Sequence, residues 1–172
     1  LQNTYPDRRD ALIDLLKINP CWRMNKLSDG QRRRVQLLLN LVRPFSVLLL
    51  DEVTTNLDVC VRQDLLRWIE RETVERSCTV VYATHIFDGL DDWPTDIMYM
   101  TRRGECGWRG SPDNLAYYQE LKASHHPCKM LAVAERWLRA DNSVEKEAGE
   151  TAHESDPTNR QGGYASGTIG NM

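Results

Sequence analysis

The chain of 172 residues carries 22 basic and 25 acidic side chains, and its net charge of −3 gives no reason to expect general affinity for nucleic acids or acidic lipids. Its longest run of strongly apolar residues, Val47 to Leu50, is far shorter than the roughly 20 residues that a membrane-spanning helix needs. Five scattered cysteines without a CxxC pair argue against a disulfide framework or a zinc site, and they fit a reducing, cytosolic setting.

Two helices are predicted in the first quarter of the chain. Pro6 stands at the start of a helix over residues 7–18, which has an apolar face. A second helix is predicted from Ser28 to about Val42, because apolar side chains recur there at helical spacing, and Pro44 ends it.

Strands and helices then alternate, which predicts an α/β fold. The run from Val47 to Leu50 is apolar without alternation, as in a strand that is buried on both faces of a parallel sheet. A helix over residues 59–76 precedes a second apolar strand over residues 79–83. Residues 96–101 predict a third strand, and residues 104–110 predict a turn into a short edge strand.

The last part of the chain predicts two helices and a tail. Ser111 and Pro112 are typical of a helix start, and this helix is expected to reach about Lys122. Another helix is predicted over residues 128–140. Residues 141–172 hold six acids against two bases and many small polar residues, a composition typical of a disordered tail.

Two adjacent acids follow the first apolar strand, at the edge of the sheet where ligands bind in open α/β folds. Asp51 can hold Mg²⁺, which uses one or two carboxylates together with phosphates and water. Glu52 can orient or deprotonate an attacking water. Strands often end in acids, so the pair alone leaves a purely structural role open.

The segment Ser28-Asp29-Gly30-Gln31 opens the second helix. A helix N-terminus presents N–H groups and a positive dipole end to an anion, and a glycine lets a phosphate approach the backbone. The segment therefore predicts a phosphate site. The alternative is an ordinary N-cap made by Ser28 or Asp29.

Two further segments have ordinary explanations when each is taken alone. His85, at the end of the second strand, can donate a hydrogen bond to a terminal phosphate or can be a loop residue. Residues 55–58 lead into the next helix, with Asp58 as a cap.

The order of these segments resembles the ABC-type ATPases. The stretches LSDGQ (27–31), VLLLDE (47–52), TNLD (55–58) and YATH (82–85) are similar to the signature, the Walker B strand, the D-loop and the switch histidine of that family. The 24-residue step from Leu27 to Asp51 matches as well. The stretch YATHIFDGLDDWPT further resembles the soluble, non-intrinsic ABC proteins of subfamily I.

The resemblance implies a partial P-loop NTPase fold, α/β with a mostly parallel sheet flanked by helices. It divides the chain into the end of a helical subdomain with the signature helix (1–44), a RecA-like core (45–123), a C-terminal helix (124–140) and an acidic tail (141–172). The P-loop pattern GxxxxGK[ST] is absent, since none of the ten glycines precedes a lysine. We therefore expect an N-terminal half, with its Walker A, to be missing.

By resemblance, ATP lies between two such domains. Ser28 and the backbone of Asp29 and Gly30 would grip the γ-phosphate of the partner's ATP, with Gln31 behind them. The family usually has a second glycine in place of Asp29, whose carboxylate would repel a phosphate unless it turns away. The arginines at positions 32–34 would offset that charge or form a solvated helix face.

The same resemblance gives roles to the acids and the histidine. Asp51 would organise Mg²⁺, Glu52 would activate water, His85 would hold the γ-phosphate, and Asp58 would couple the two sites of the dimer. The chemistry is phosphoryl transfer to water, in which positioning and charge stabilisation dominate.

The resemblance implies ATP hydrolysis in the complete protein and little activity of this chain alone. The alternative is an inactive truncated module that acts as an interaction or regulatory partner. A homo- or heterodimer with another ABC ATPase domain is implied, in the cytoplasm or also the nucleus. Some lineages link such proteins to transcription or mRNA-deadenylation complexes. A chromosome-type ATPase head would carry long heptads, which are not seen, and a transporter subunit stays open.

Overall fold

A computed structural model describes the backbone of residues 4–154 and the side chains of residues 4–143. This part of the chain forms two compact units that divide after Pro94. The helices and strands are α1 (Pro6–Leu15), α2 (Asp29–Leu41), β1 (Val47–Asp51), α3 (Val59–Arg76), β2 (Thr79–Ala83), β3 (Ile97–Met100), β4 (Cys106–Gly110), α4 (Ala116–Ala123) and α5 (Lys129–Glu154).

The first unit packs a parallel sheet against helices. β1 and β2 pair in parallel, with Val47 opposite Thr79 and Asp51 opposite Ala83. α1 contacts α2 and α3, and α3 contacts β2. Apolar side chains of these elements and of the residues next to them form one core, made of Leu12, Leu16, Leu37, Leu41, Val42, Leu50, Val53, Val61, Leu65, Trp68 and Ile69.

A partly buried ion pair holds α1 against α3. Arg8 Nη1 lies 2.7 Å from a carboxylate oxygen of Glu72, and Arg8 Nε donates to the Leu41 carbonyl at 2.9 Å. The guanidinium also lies over the Trp68 ring, 4.7 Å from its centroid. One side chain of α1 therefore contacts both α3 and the end of α2.

The parallel sheet has one covered face and one exposed face. Leu50 is buried, whereas Val47 and Leu49 of β1 are 62% and 74% exposed and Val81 of β2 is 54% exposed. Val47 and Leu49 share a face because side chains alternate along a strand. Val81 lies on the same face because it is paired with Leu49. The expectation of a strand buried on both faces is therefore wrong for the described part of the chain.

The second unit builds an antiparallel hairpin and packs it on α5. β3 and β4 pair across a turn in which Gly104 has a φ of +78°. The Tyr99 ring stacks on Trp137 at 4.9 Å between centroids, and the Tyr99 hydroxyl donates to Asp141 at 2.6 Å. A Cβ at Gly107 would lie 2.9 Å from the Tyr99 ring, so glycine leaves the room that the ring needs.

Two predicted boundaries near the C-terminus need correction. The helix predicted from Ser111 is a 3-10 turn, Pro112–Asn114, followed by α4, because Leu115 between them is extended. α5 continues to Glu154, so the tail predicted from residue 141 is helical over residues 141–154. Glu, Lys and Ala are frequent there, and these residues favour helix despite their polarity. The rest of the predicted tail, 155–172, lies outside the described residues.

The parallel sheet expected of the fold is present as β1 and β2, while β3 and β4 form a separate antiparallel one. Within residues 4–154, no helix combines the length and the apolar character that crossing a membrane requires.

Candidate functional site

The start of α2 is a complete capping box. Ser28 is the N-cap, and its Oγ accepts a hydrogen bond from the Gln31 N–H at 3.3 Å. The Gln31 side-chain oxygen accepts from the Ser28 N–H in return, at 3.0 Å. The ordinary N-cap reading of Ser28 is therefore correct. The Ser28 hydroxyl can still donate a hydrogen bond, because its oxygen acts only as an acceptor in the capping box and keeps its own hydrogen.

Gly30 allows a close contact between α2 and the segment that follows β1. A Cβ at position 30 would lie 2.7 Å from the Asn56 carbonyl oxygen, which is too close for any side chain. Asn56 itself has a φ of +66°, in the left-handed region. The lack of a side chain at Gly30 thus has a packing reason in addition to the phosphate approach predicted from the sequence.

Asp29 points away from the helix axis into solvent. Its side chain is 83% exposed, and Arg32 Nη1 lies 3.5 Å from its Oδ1. An acid in the first turn interacts favourably with the helix dipole. The Asp29 carboxylate is thus exposed with a cation beside it, and its effect on a phosphate bound at this helix start stays a prediction.

Glu52 and His85 come together at the ends of β1 and β2. Glu52 Oε1 accepts a hydrogen bond from the His85 backbone N–H at 2.8 Å and lies 2.7 Å from His85 Nδ1. Glu52 Oε2 accepts from Thr84 Oγ1 at 3.3 Å. The His85 ring is 75% exposed. The carboxylate is therefore oriented by three contacts from two residues, while the imidazole remains accessible.

The backbone of Glu52 adopts an uncommon conformation. Its φ is +46°, in the left-handed region that costs a non-glycine residue about 1 kcal/mol or more. Its N–H donates to the Ala83 carbonyl at 3.0 Å, which ties it to the end of β2. Strained backbone of this kind concentrates at functional sites.

Asp51 is the last residue of β1 and is exposed, opposite Ala83 of β2. Among the described side chains, no cluster of three or more His, Cys, Asp or Glu residues could hold a metal by itself. One accessible carboxylate still fits Mg²⁺, which binds through one or two carboxylates, phosphates and several waters. The assignment of Asp51 as a magnesium ligand stays a prediction.

Asp58 caps α3 and also contacts α2. Its Oδ1 accepts from the Val61 N–H at 3.0 Å, and its Oδ2 lies 2.6 Å from Arg34 Nη2. The Val61 N–H lowers the pKa of the Asp58 carboxyl, with a smaller lowering effect from the Arg34 charge that partial burial opposes. The cap role predicted for Asp58 is confirmed by these contacts.

Two contributors to this region were missed by sequence reasoning. Thr84 contacts the Glu52 carboxylate, and Arg33 donates to the carbonyls of Glu52 and Val53. The arginine triplet was a visible signal, but a solvated helix face was the favoured interpretation of it. The structure assigns a different contact to each of the three arginines.

Known proteins resemble this chain over most of its length. No family model matches the chain. It is 50% identical over 141 residues to ABC transporter I family member 21 of Arabidopsis thaliana, which covers 82% of this chain and 48% of that protein. It is 48% identical over 120 residues to CCR4-associated factor 16 of Saccharomyces cerevisiae, covering 70% and 39%. The chain therefore spans half or less of the length of these relatives.

A solved structure shares the fold. The dimeric structure of a bacterial ABC transporter cassette aligns with a TM-score of 0.53 and 22% identity, over 60% of this chain and 45% of that one.

Proposed function

Since this chain belongs to the ABC-type ATPase family, we propose that it supplies the signature helix and the water-activating edge of a cassette that dimerises around ATP and hydrolyses it. The observation that carries this proposal is the Glu52 carboxylate, which is held by the His85 N–H, His85 Nδ1 and Thr84 at the end of β1, next to Asp51.

The proposed chemistry follows from these positions. Glu52 accepts a proton from a water molecule, and the water oxygen attacks the terminal phosphorus of ATP, so that ADP leaves. His85, with its exposed ring, donates a hydrogen bond to the terminal phosphate. Mg²⁺, held by Asp51, would neutralise charge on the phosphate oxygens.

The start of α2 is proposed to bind the ATP of the opposing domain. Ser28 donates its hydroxyl hydrogen, and the N–H groups of Asp29 and Gly30 face the phosphate, while Gln31 holds Ser28 in place through the capping box. Asp58, which is joined to α2 through Arg34, is proposed to link the two sites.

The partner is proposed to be a second copy or another ABC ATPase domain, because the solved relative is described as dimeric. The yeast relative is named a CCR4-associated factor. We propose that this chain also associates with a larger complex, one that acts in mRNA deadenylation or transcription. We place it in the cytoplasm, or in both cytoplasm and nucleus.

A second candidate function is a regulatory module without activity. The 172 residues contain no GxxxxGK[ST] pattern, so the P-loop must come from elsewhere if hydrolysis is to occur. A chain that keeps the signature helix but not the P-loop would occupy one side of a dimer and block a site.

The test is to supply the P-loop half. The chain is fused to the portion of the Arabidopsis relative that it does not span, and ATP hydrolysis is measured by phosphate release. We expect turnover that Glu52→Gln lowers by about 10²-fold or more, because general-base catalysis contributes 10²–10⁴-fold. Glu75→Gln, on the exposed end of α3, is the matched control and should keep full turnover.

Retained hydrolysis in the Glu52→Gln fusion would contradict the role of Glu52. A fusion without any turnover, combined with suppression of the relative's hydrolysis by the 172-residue chain, would favour the regulatory module instead.

A further inference from the structure

Arg33 connects α2 to the backbone of the candidate catalytic carboxylate. Its Nη2 donates to the Glu52 carbonyl at 3.0 Å, and its Nε donates to the Val53 carbonyl at 3.2 Å. Guanidinium groups suit this task because their N–H donors form a rigid planar fork. The side chain is half-buried, so these bonds are partly shielded from water.

These bonds complete a set of contacts that hold Glu52 from both sides. On one side its N–H donates to Ala83 of β2. On the other side its carbonyl accepts from Arg33 and from the N–H and hydroxyl of Thr55, at 3.3 and 2.9 Å. A residue in the left-handed region persists only when its surroundings fix it. Here the fixed backbone directs the Glu52 carboxylate toward His85.

The neighbouring arginines do not share this role. Arg32 lies near Asp29 and the Leu27 carbonyl, at 3.5 and 3.4 Å, and both of these contacts are at its own end of α2. Arg34 pairs with Asp58. Within the triplet, the contacts to the Glu52 and Val53 carbonyls belong to Arg33.

We propose that Arg33 is a positioning residue, which locks the backbone of Glu52 and thereby holds its carboxylate against the His85 N–H. The start of α2 and the Glu52 carboxylate are then held in a fixed position relative to each other. The significance of this contact for hydrolysis rests on the proposed function, in which Glu52 activates water. The contact itself does not need nucleotide and can be tested without it.

The test measures hydrogen exchange of single amides in the 172-residue chain without nucleotide. The reporter is the His85 amide, whose acceptor is Glu52 Oε1. Arg33→Met keeps an unbranched, apolar stem and removes the guanidinium donors. We expect it to raise the His85 exchange rate by about tenfold or more, the factor that loss of a hydrogen bond to a charged group produces. Amides of Leu65 and Ile69 in the core of α3 should not change.

Two more variants separate positioning from general stability. Arg33→Lys keeps a cationic donor group at the end of the side chain but loses the planar fork, and it should restore part of the protection of the His85 amide. Arg32→Met is the matched control on the same helix, and it should leave His85 exchange unchanged.

The proposal is overturned if the His85 amide of the unsubstituted chain is unprotected, or if Arg33→Met leaves its exchange unchanged. It is also overturned if Arg33→Met accelerates His85 and the α3 core equally, since Arg33 would then be merely structural. The proposal is overturned as well if Arg33→Lys restores no protection of the His85 amide, or if Arg32→Met raises His85 exchange as much as Arg33→Met does. Retained hydrolysis in the Glu52→Gln fusion would contradict the proposed function and leave the exchange result standing.

Discussion

Single carboxylates in this protein serve structure and candidate chemistry together, and Asp58 is the clearest case. Its two oxygens are divided between the first turn of α3, through Val61, and α2, through Arg34. An ordinary N-cap is worth about 1 kcal/mol to the free energy of unfolding. The second contact makes this cap a connection between two helices.

Asp58→Asn should therefore make unfolding less dependent on pH. Because the folded state lowers the pKa of Asp58 below its ordinary value of 3.8, the carboxylate contributes stability above that value. This contribution is lost as the pH falls through the folded pKa. Between pH 5 and pH 2, the urea midpoint of the unsubstituted chain should fall further than that of Asp58→Asn.

Asp64→Asn, farther along the same helix, is the control for the Asp58 experiment. Asp64 forms a long, exposed pair with Arg67 at 3.5 Å, and because exposed pairs contribute little, Asp64→Asn should move the urea midpoint little. Equal pH curves for Asp58→Asn and the unsubstituted chain would contradict the account of the cap.

At the scale of helices and strands, local patterns predicted the first unit well. The bounds of β2 and α3 agree with the prediction, because apolar spacing and the Asp58 cap are encoded within those residues. The exposed face of β1 was not predictable, since an apolar run looks the same whether both faces are covered or one. Contacts from distant residues, such as Arg33 with Glu52, leave no periodic signal, and therefore the site was only partly predictable.

The exposed apolar face of β1 and β2 should drive self-association of the chain. Val47, Leu49 and Val81 present contiguous apolar surface beside strand edges, which favours contact between copies. Leu49→Lys should reduce the concentration-dependent mass measured by light scattering, with little effect on the unfolding midpoint. Leu50→Lys, one residue away, places the charge in the core and should unfold the chain.

Equal association of the unsubstituted chain and Leu49→Lys would show that this face does not mediate contact between copies. The comparison of positions 49 and 50 also checks the register of β1, because a slip by one residue would exchange the two outcomes.

At the scale of the whole molecule, the division after Pro94 predicts that damage to one unit stays local. Each unit has its own tryptophans, with Trp68 in the first core and the neighbouring Trp108 and Trp137 in the second. Domains with separate cores can lose structure independently, and a two-state treatment then fails for the chain as a whole. A mutation confined to the second unit can test this independence.

Tyr99→Phe is that mutation. Burial and the hydrogen bond to Asp141 raise the pKa of Tyr99 to about 12, so the neutral phenol is favoured in the folded state. The stability that the neutral Tyr99 phenol contributes is fully present below pH 10, its ordinary pKa, and is lost as the pH rises toward 12. Tyr99→Phe should destabilise the second unit by about 1.5–3 kcal/mol at pH 7, the value of a hydrogen bond to a charged group.

The measurement uses single-tryptophan variants that retain Trp68 or Trp137 as the fluorescent reporter. The urea midpoint reported by Trp137 should fall in Tyr99→Phe, and the one reported by Trp68 should stay. Tyr117→Phe is the control, because a phenylalanine ring keeps the stacking under Arg136, and it should move neither midpoint. If the urea midpoints reported by Trp68 and Trp137 both fall in Tyr99→Phe, the two units unfold together. A hydrogen bond inside the second unit would then also stabilise the core of the first, which contradicts the prediction.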